Sequence, residues 1–211
     1  MKWVWRSVVA CVVWGAVTQV WAADGVAQLQ QFVSATRSAE GAFTQVVTAK
    51  SGRKPQHASG QFAFARPGKF RWSYEQPYVQ LLVGDGTRLW SWDRDLNQVT
   101  VRRMGDALGA TPAAVLFGET DLERNFALSN GPVTSDGLVW VDAEPKKPES
   151  GFESLRIGLR DGRLIRMEMR DSFGQQTEIV FTRFQANPVL DADYFRFRMP
   201  PGADVIGDPE E

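Results

Sequence analysis

The chain has 211 residues, with 24 Lys plus Arg against 25 Asp plus Glu and 43% hydrophobic residues. That length fits one domain, or at most two small ones, and is enough to bury a sizeable core. A formal net charge of −1 gives no electrostatic basis for binding nucleic acid or an anionic membrane surface.

The chain opens on the pattern of a secretory signal. Lys2 and Arg6 form a positive start, Val8 to Val20 is almost wholly apolar, and Val20 and Ala22 stand before a cut at Ala23. The apolar run of 13 residues is shorter than the roughly 20 that a membrane span needs. Removing residues 1–22 leaves 22 basic against 25 acidic groups. Residues 23–211 are then expected to form one exported domain. The only cysteine, Cys11, lies inside the signal, with too little apolar sequence before it for a lipidation site. The mature chain is therefore expected to form no disulfide, even in an oxidising compartment.

Asp24 to Ser38 reads as a helix. Asp24 suits the N-cap, and Val26, Leu29, Phe32, Val33 and Thr36 fall on one stripe. Gly41 is expected to end that pattern. From Ala42 the period drops to two, with Phe43, Gln45 and Val47 on one strand face. Ser51 to Ser59 reads as an exposed basic loop containing Arg53, Lys54 and His57. Phe62 and Phe64 alternate with polar or small residues, and Arg66-Pro67-Gly68 interrupts the run. The cleanest alternation follows, with Phe70, Trp72 and Tyr74 opposite Lys69, Arg71, Ser73 and Glu75.

Strands are expected around 79–83, 89–92 and 99–101, with turns at Gly84-Asp85-Gly86 and Asp93-Arg94-Asp95. Thr111 and Pro112 start a short apolar helix that Gly118 can stop. Strands resume at 126–128, 138–141, 152–159, 164–169 and 177–184, with a hairpin signal at Asp161-Gly162. Asp191 to Tyr194 suits one helical turn. Phe195, Phe197 and Met199 alternate with Arg196 and Arg198 in an expected last strand. The pattern is mainly β, about ten or eleven strands in one large antiparallel sheet with short helices to cover its apolar face.

Chemistry is harder to find. His57 has no nucleophile elbow near it, and zinc spacing, a G-x-G-x-x-G loop and a Walker loop are all missing. Asp191 and Asp193 read better as helix-capping acids than as a hydrolase pair. Aromatic residues stand out instead. Trp72, Trp90, Trp92 and Trp140 fall on expected strands, as do seven phenylalanines, Phe43 and Phe181 among them. An ordinary aromatic core would account for them. A sheet covered by so little helix could equally leave an apolar cavity.

The segment Arg66-Pro67-Gly68-Lys69-Phe70-Arg71-Trp72-Ser73-Tyr74 resembles the signature of the LolA family, in which an Arg-Pro pair leads into a Phe-x-Trp strand. Further pieces fit in order: Phe43-Thr44-Gln45, Asp85-Gly86, Leu89-Trp90, Thr111-Pro112-Ala113, Gly174-Gln175 and Pro200-Pro201-Gly202. The resemblance implies an unclosed antiparallel β-barrel with a helical lid over an apolar cavity. It implies a monomeric periplasmic chaperone, not an enzyme, without cofactor or metal. Such a carrier receives lipoproteins from an inner-membrane ABC transporter complex, shelters their acyl chains and passes them to the outer-membrane receptor LolB. By the same resemblance, Arg66 closes the lid and Phe70 governs transfer and receptor contact. Strand alternation then nominates Phe43, Phe64, Trp72, Leu82, Trp90, Met167 and Met169 as cavity lining, an assignment that a one-residue slip would exchange. Related half-barrels, a lipoprotein receptor or a sensor domain, are the alternatives. The receptor should carry a lipidation cysteine at its mature start, and the sensor an additional domain.

Overall fold

Alternation of apolar and polar side chains dominates the chain, and it produces one 12-stranded sheet. The computed structural model describes residues 24–104, 122–146 and 152–207. The expected signal segment and the expected helix after Thr111 lie outside the described residues.

Helix α1 (Gly25–Ala35) comes first. Six strands follow: β1 (Ser38–Thr48), β2 (Gln56–Ala65), β3 (Lys69–Gln76), β4 (Gln80–Asp85), β5 (Arg88–Asp93) and β6 (Gln98–Arg103). A single turn, α2 (Leu122–Asn125), leads into β7 (Phe126–Val133), β8 (Val139–Pro145), β9 (Phe152–Arg160), β10 (Arg163–Asp171) and β11 (Gln176–Ala186). A 3-10 turn (Ala192–Phe195) and the short β12 (Asp204–Ile206) complete the described chain. The spatial order is β12-β6-β5-β4-β3-β2-β1-β11-β10-β9-β8-β7. Pairing of β1 with β11 joins two meanders, while β7 and β12 remain unpaired on their outer sides, so the sheet does not close.

Each half of the chain shows why its elements form. Asp24 caps α1 by accepting from the Ala27 backbone N–H at 3.1 Å. The helix buries Leu29, Phe32 and Val33 and lies over β7, β8 and β9. Burial of those three side chains supplies roughly 1.5–3 kcal/mol each. The helix ends at Ala35, well before Gly41. That glycine sits inside β1 instead, because a side chain there would strike the Arg183 carbonyl and the Phe62 ring. His57 likewise belongs to a strand, β2, opposite Val46, so the expected loop is shorter than its polar composition suggests.

The C-terminal segment departs most from the sequence expectation. Phe195 to Met199 is not a strand. Asp191 caps the 3-10 turn, and the chain then runs extended across the outer face of β3 to β5, where Phe195 is buried and Phe197 stacks on Trp90. Its alternation records packing on a sheet, not pairing within one. Asp204–Ile206 pairs instead, and it runs parallel to β6, the one parallel pair among the described residues.

Candidate functional site

Cross-strand partners point to the same side of a sheet, so the register assigns each side chain to a face. The inner face carries α1 and most of the core. One of its rows runs Gly41, Phe62, Trp72, Leu82 across β1 to β4. The next runs Ala39, Phe64, Phe70, Gly84. In the other meander, Met167 pairs with Ile179 and Ile157, and Met169 with Thr177 and Leu155.

These rows place an aromatic chain that runs from the helix across β11 and β2 to β3 and β1. Phe32 of α1 meets Phe184 with ring centroids 5.7 Å apart. Phe62 lies 5.6 Å from Phe184, 5.2 Å from Phe181 and 5.9 Å from Trp72. Trp72 in turn lies 4.0 Å from Phe43. Beside these rings lies a polar contact, in which the Tyr74 hydroxyl donates to the Gln45 side-chain oxygen at 3.1 Å. Burial pushes the Tyr74 hydroxyl pKa up, against the opposing effect of its hydrogen bonds to Trp72 and Gln45. The face is therefore apolar, packed by its own rings, and covered at one side by a helix.

Polar contacts hold that helix at both ends. At its start, the Val26 N–H donates to the Asn130 side chain at 2.9 Å, and Gln30 donates to Glu123 of α2 at 2.5 Å. A groove of about 380 Å³ runs beside it, lined in part by Leu29, Val33, Leu122 and Leu128. At its end, Arg66 Nε donates to the Thr36 carbonyl at 3.1 Å. The guanidinium also lies over the Phe64 ring, 5.1 Å from its centroid. A cation at a helix C-terminus meets the negative end of the helix dipole. Burial lowers the Arg66 pKa to about 10, which still leaves it charged near neutrality. Asn187 supplies a second tie, donating to Ala35 O at 2.9 Å and accepting from Arg37 N at 2.8 Å.

Six of the seven nominated lining residues share this inner face: Phe43, Phe64, Trp72, Leu82, Met167 and Met169. Trp90 does not. It pairs with Val83 and Val101 on the outer face, stacks on Phe197 at 5.1 Å and 7°, and donates its Nε1–H to Asp85. Its strand neighbour Leu89 takes the inner position. Phe70 is on the inner face but fully buried, in contact with the space beside Gly84. Direct contact with a receptor is not open to it in this form. Asn187 was missed, although an Asn-Pro step after an apolar strand marks a turn. Among the described residues, no group of three or more His, Cys, Asp or Glu is placed to hold a metal ion.

Residues 34–198 match the family described as outer membrane lipoprotein carrier protein LolA. The chain belongs to the LolA family. It is 48% identical over 186 residues to the outer-membrane lipoprotein carrier protein of Dechloromonas aromatica, covering 88% of this chain and 89% of that one. Identity is 50% over 182 residues to the protein of the same description from Cupriavidus necator, covering 85% and 86%. A crystal structure of a DUF1329 family protein from Desulfovibrio piger shares the fold at TM-score 0.50 and 11% identity, covering 79% of this chain and 92% of that one. LolA membership accounts for the missing catalytic set, since the family is one of carriers, not enzymes.

Proposed function

We propose that this chain carries outer-membrane lipoproteins through the periplasm, holding their acyl chains against the inner face of the sheet. The observation that supports it is the ring chain from Phe32 to Phe43, which runs over the inner face from a helix tied at its C-terminal end by Arg66 and Asn187. Transfer of an acyl chain from lipid to water costs about 0.8 kcal/mol per CH₂. A chain of roughly 16 carbons thus costs on the order of 12 kcal/mol, more than burial of any one helix side chain supplies. Cargo can therefore displace α1 and the rings from each other, and the helix reseals an empty face.

This competition serves delivery. Self-packing makes the empty carrier weaker for acyl chains than a permanently open cavity, which favours hand-over. In this reading Arg66 sets the closing strength, and Phe70 acts from inside the packed face. Cargo arrives from an inner-membrane ABC transporter complex and leaves to the receptor LolB, and the carrier works as a monomer in the periplasm. The test uses the mature protein, added to spheroplasts that retain newly made lipoproteins. Stoichiometric release into the supernatant, with transfer to outer-membrane vesicles, is expected. A folded preparation that releases none overturns the proposal.

A further inference from the structure

Polarity inverts across β5 and β6. On the outer face these strands present Trp90, Trp92, Val99 and Val101, with Val99 and Val101 buried. On the inner face, where the rest of the sheet is aromatic and aliphatic, they present the buried Leu89 opposite Arg102 and, beside it, Ser91 opposite Thr100. The row that holds Trp72 continues through Leu82 to Ser91 and Thr100. The neighbouring row passes from Tyr74 to Gln80 of β4. Ser91, Thr100 and Gln80 are half-buried, and their side chains make no hydrogen bond among the described residues. Asp93, next in the polar row, is already engaged, accepting from the Asp95 and Leu96 backbone N–H groups of its own turn.

We infer that the Ser91–Thr100 pair with Gln80 forms a donor strip for the carbonyl groups that link acyl chains to the cargo's N-terminus. This rests on the carrier reading above. Acyl chains join a lipoprotein through ester and amide groups, which accept hydrogen bonds and cannot donate through the ester. Hydroxyl and carboxamide groups can donate to them. Strands in a sheet lie about 4.8 Å apart, so Thr100 stands three strands, roughly 14 Å, from Trp72. The inner face thus grades from rings to donors within the dimensions of one lipid. Chains lying over the rings bring their linkages over the strip. A buried ester carbonyl without a donor forfeits the hydrogen bond it makes in water, at a net cost. A strip of donors left unengaged among the described residues removes that penalty and favours acylated protein over bare hydrocarbon.

The test compares a synthetic diacylglyceryl-cysteine lipopeptide with its ether-linked analogue, each competing with an apolar fluorescent dye for the full mature protein. Wild type is expected to prefer the ester form by roughly tenfold, the equivalent of one to two hydrogen bonds. The Ser91→Ala/Thr100→Val double variant should lose that preference and keep its affinity for the ether analogue. Ser91→Thr, which retains a hydroxyl, should retain the preference. Equal ester and ether affinities in wild type, or an unchanged preference in the double variant, overturn the strip while leaving the carrier reading intact. A parallel fall for both ligands overturns it as well, since that marks a general effect on the sheet. If neither lipopeptide binds wild type, both readings fail.

Discussion

The Nε–H of Arg66 donates to the carbonyl oxygen of Thr36, the residue that caps the C-terminus of α1, at 3.1 Å. One residue from the turn between β2 and β3 thereby fixes the end of the helix that covers the inner face. Among the described residues Arg66 forms no salt bridge with a carboxylate, so its charge is balanced by the helix dipole and the Phe64 ring.

Replacing it separates lid closure from folding. Arg66→Leu removes a desolvated charge, which is favourable, but leaves the Thr36 carbonyl unpaired at a cost of about 1–3 kcal/mol. The two effects oppose each other, so global stability is expected to change little. Closure of α1 alone should weaken, and roughly 1.4 kcal/mol of lost closure corresponds to tenfold. Arg66→Leu should accept lipoprotein yet deliver it about tenfold more slowly, with faster hydrogen exchange in the last turn of α1. Delivery at the wild-type rate would refute the latch.

Asn187 gives an independent handle on the same helix end. Its backbone has φ of 54°, a left-handed conformation that Asn tolerates better than Ala. Asn187→Gly preserves that conformation and deletes three side-chain bonds, to Ala35 O and from Arg37 N and Ser38 N. We expect exchange at the end of α1 to rise as in Arg66→Leu. Stability should fall by about 1–2 kcal/mol, and Asn187→Ala by more. An unchanged exchange rate in both variants would remove Asn187 from the latch.

The faces assigned by register make opposite demands on two tryptophans. Trp72 is almost fully buried on the inner face against Phe43, while Trp90 stacks on Phe197 outside. Trp90→Ala should destabilise the protein by roughly 2–4 kcal/mol in urea titrations. The folded fraction should still bind acyl chains as wild type does. Trp72→Ala should weaken acyl-chain binding measured on folded protein. Equal losses of affinity in the two variants would mean that β5 is turned over.

How much of this was legible in the sequence follows from these residues. The alternation of Phe70, Trp72 and Tyr74 fixed a strand and its two faces, and Asp24 and Asp191 marked their turns correctly. Nothing local says which face of β5 turns inward, because its two faces, Leu89 with Ser91 and Trp90 with Trp92, both carry apolar weight. That choice depends on the C-terminal segment folding back over the outside, a contact more than a hundred residues away in sequence. The same segment carried a strand-like alternation without being paired. Gly41 looked like a helix stop because its reason, the Arg183 carbonyl and the Phe62 ring, is visible only in three dimensions. Arg66 and Phe70 came from family resemblance. The step from Asn187 to Pro188 marks a turn locally, but the bonds of Asn187 to residues 35 and 37, some 150 positions away, have no local signal.

Acid should loosen the outer-face packing around Asp85 once its carboxylate is protonated. Its carboxylate accepts from the Thr87 N–H and hydroxyl, from the Arg88 N–H, and from Trp90 Nε1 at 2.9 Å. Burial alone would raise its pKa, but the bonds from Trp90, Arg88 and Thr87 together outweigh it and hold the group below its ordinary 3.8. A carboxyl group whose folded pKa is depressed stabilises the fold above its unfolded pKa, and that contribution fades as pH falls through the folded value. Asp85→Asn keeps the shape but removes the charge. Wild type should therefore exceed Asp85→Asn in stability by a constant margin from pH 8 to about 5. The margin should shrink progressively below about pH 4. Urea titrations at three pH values across that range measure it. A margin at the acid end equal to the neutral one would show that the charge on Asp85 contributes nothing, and that its geometry alone holds Trp90.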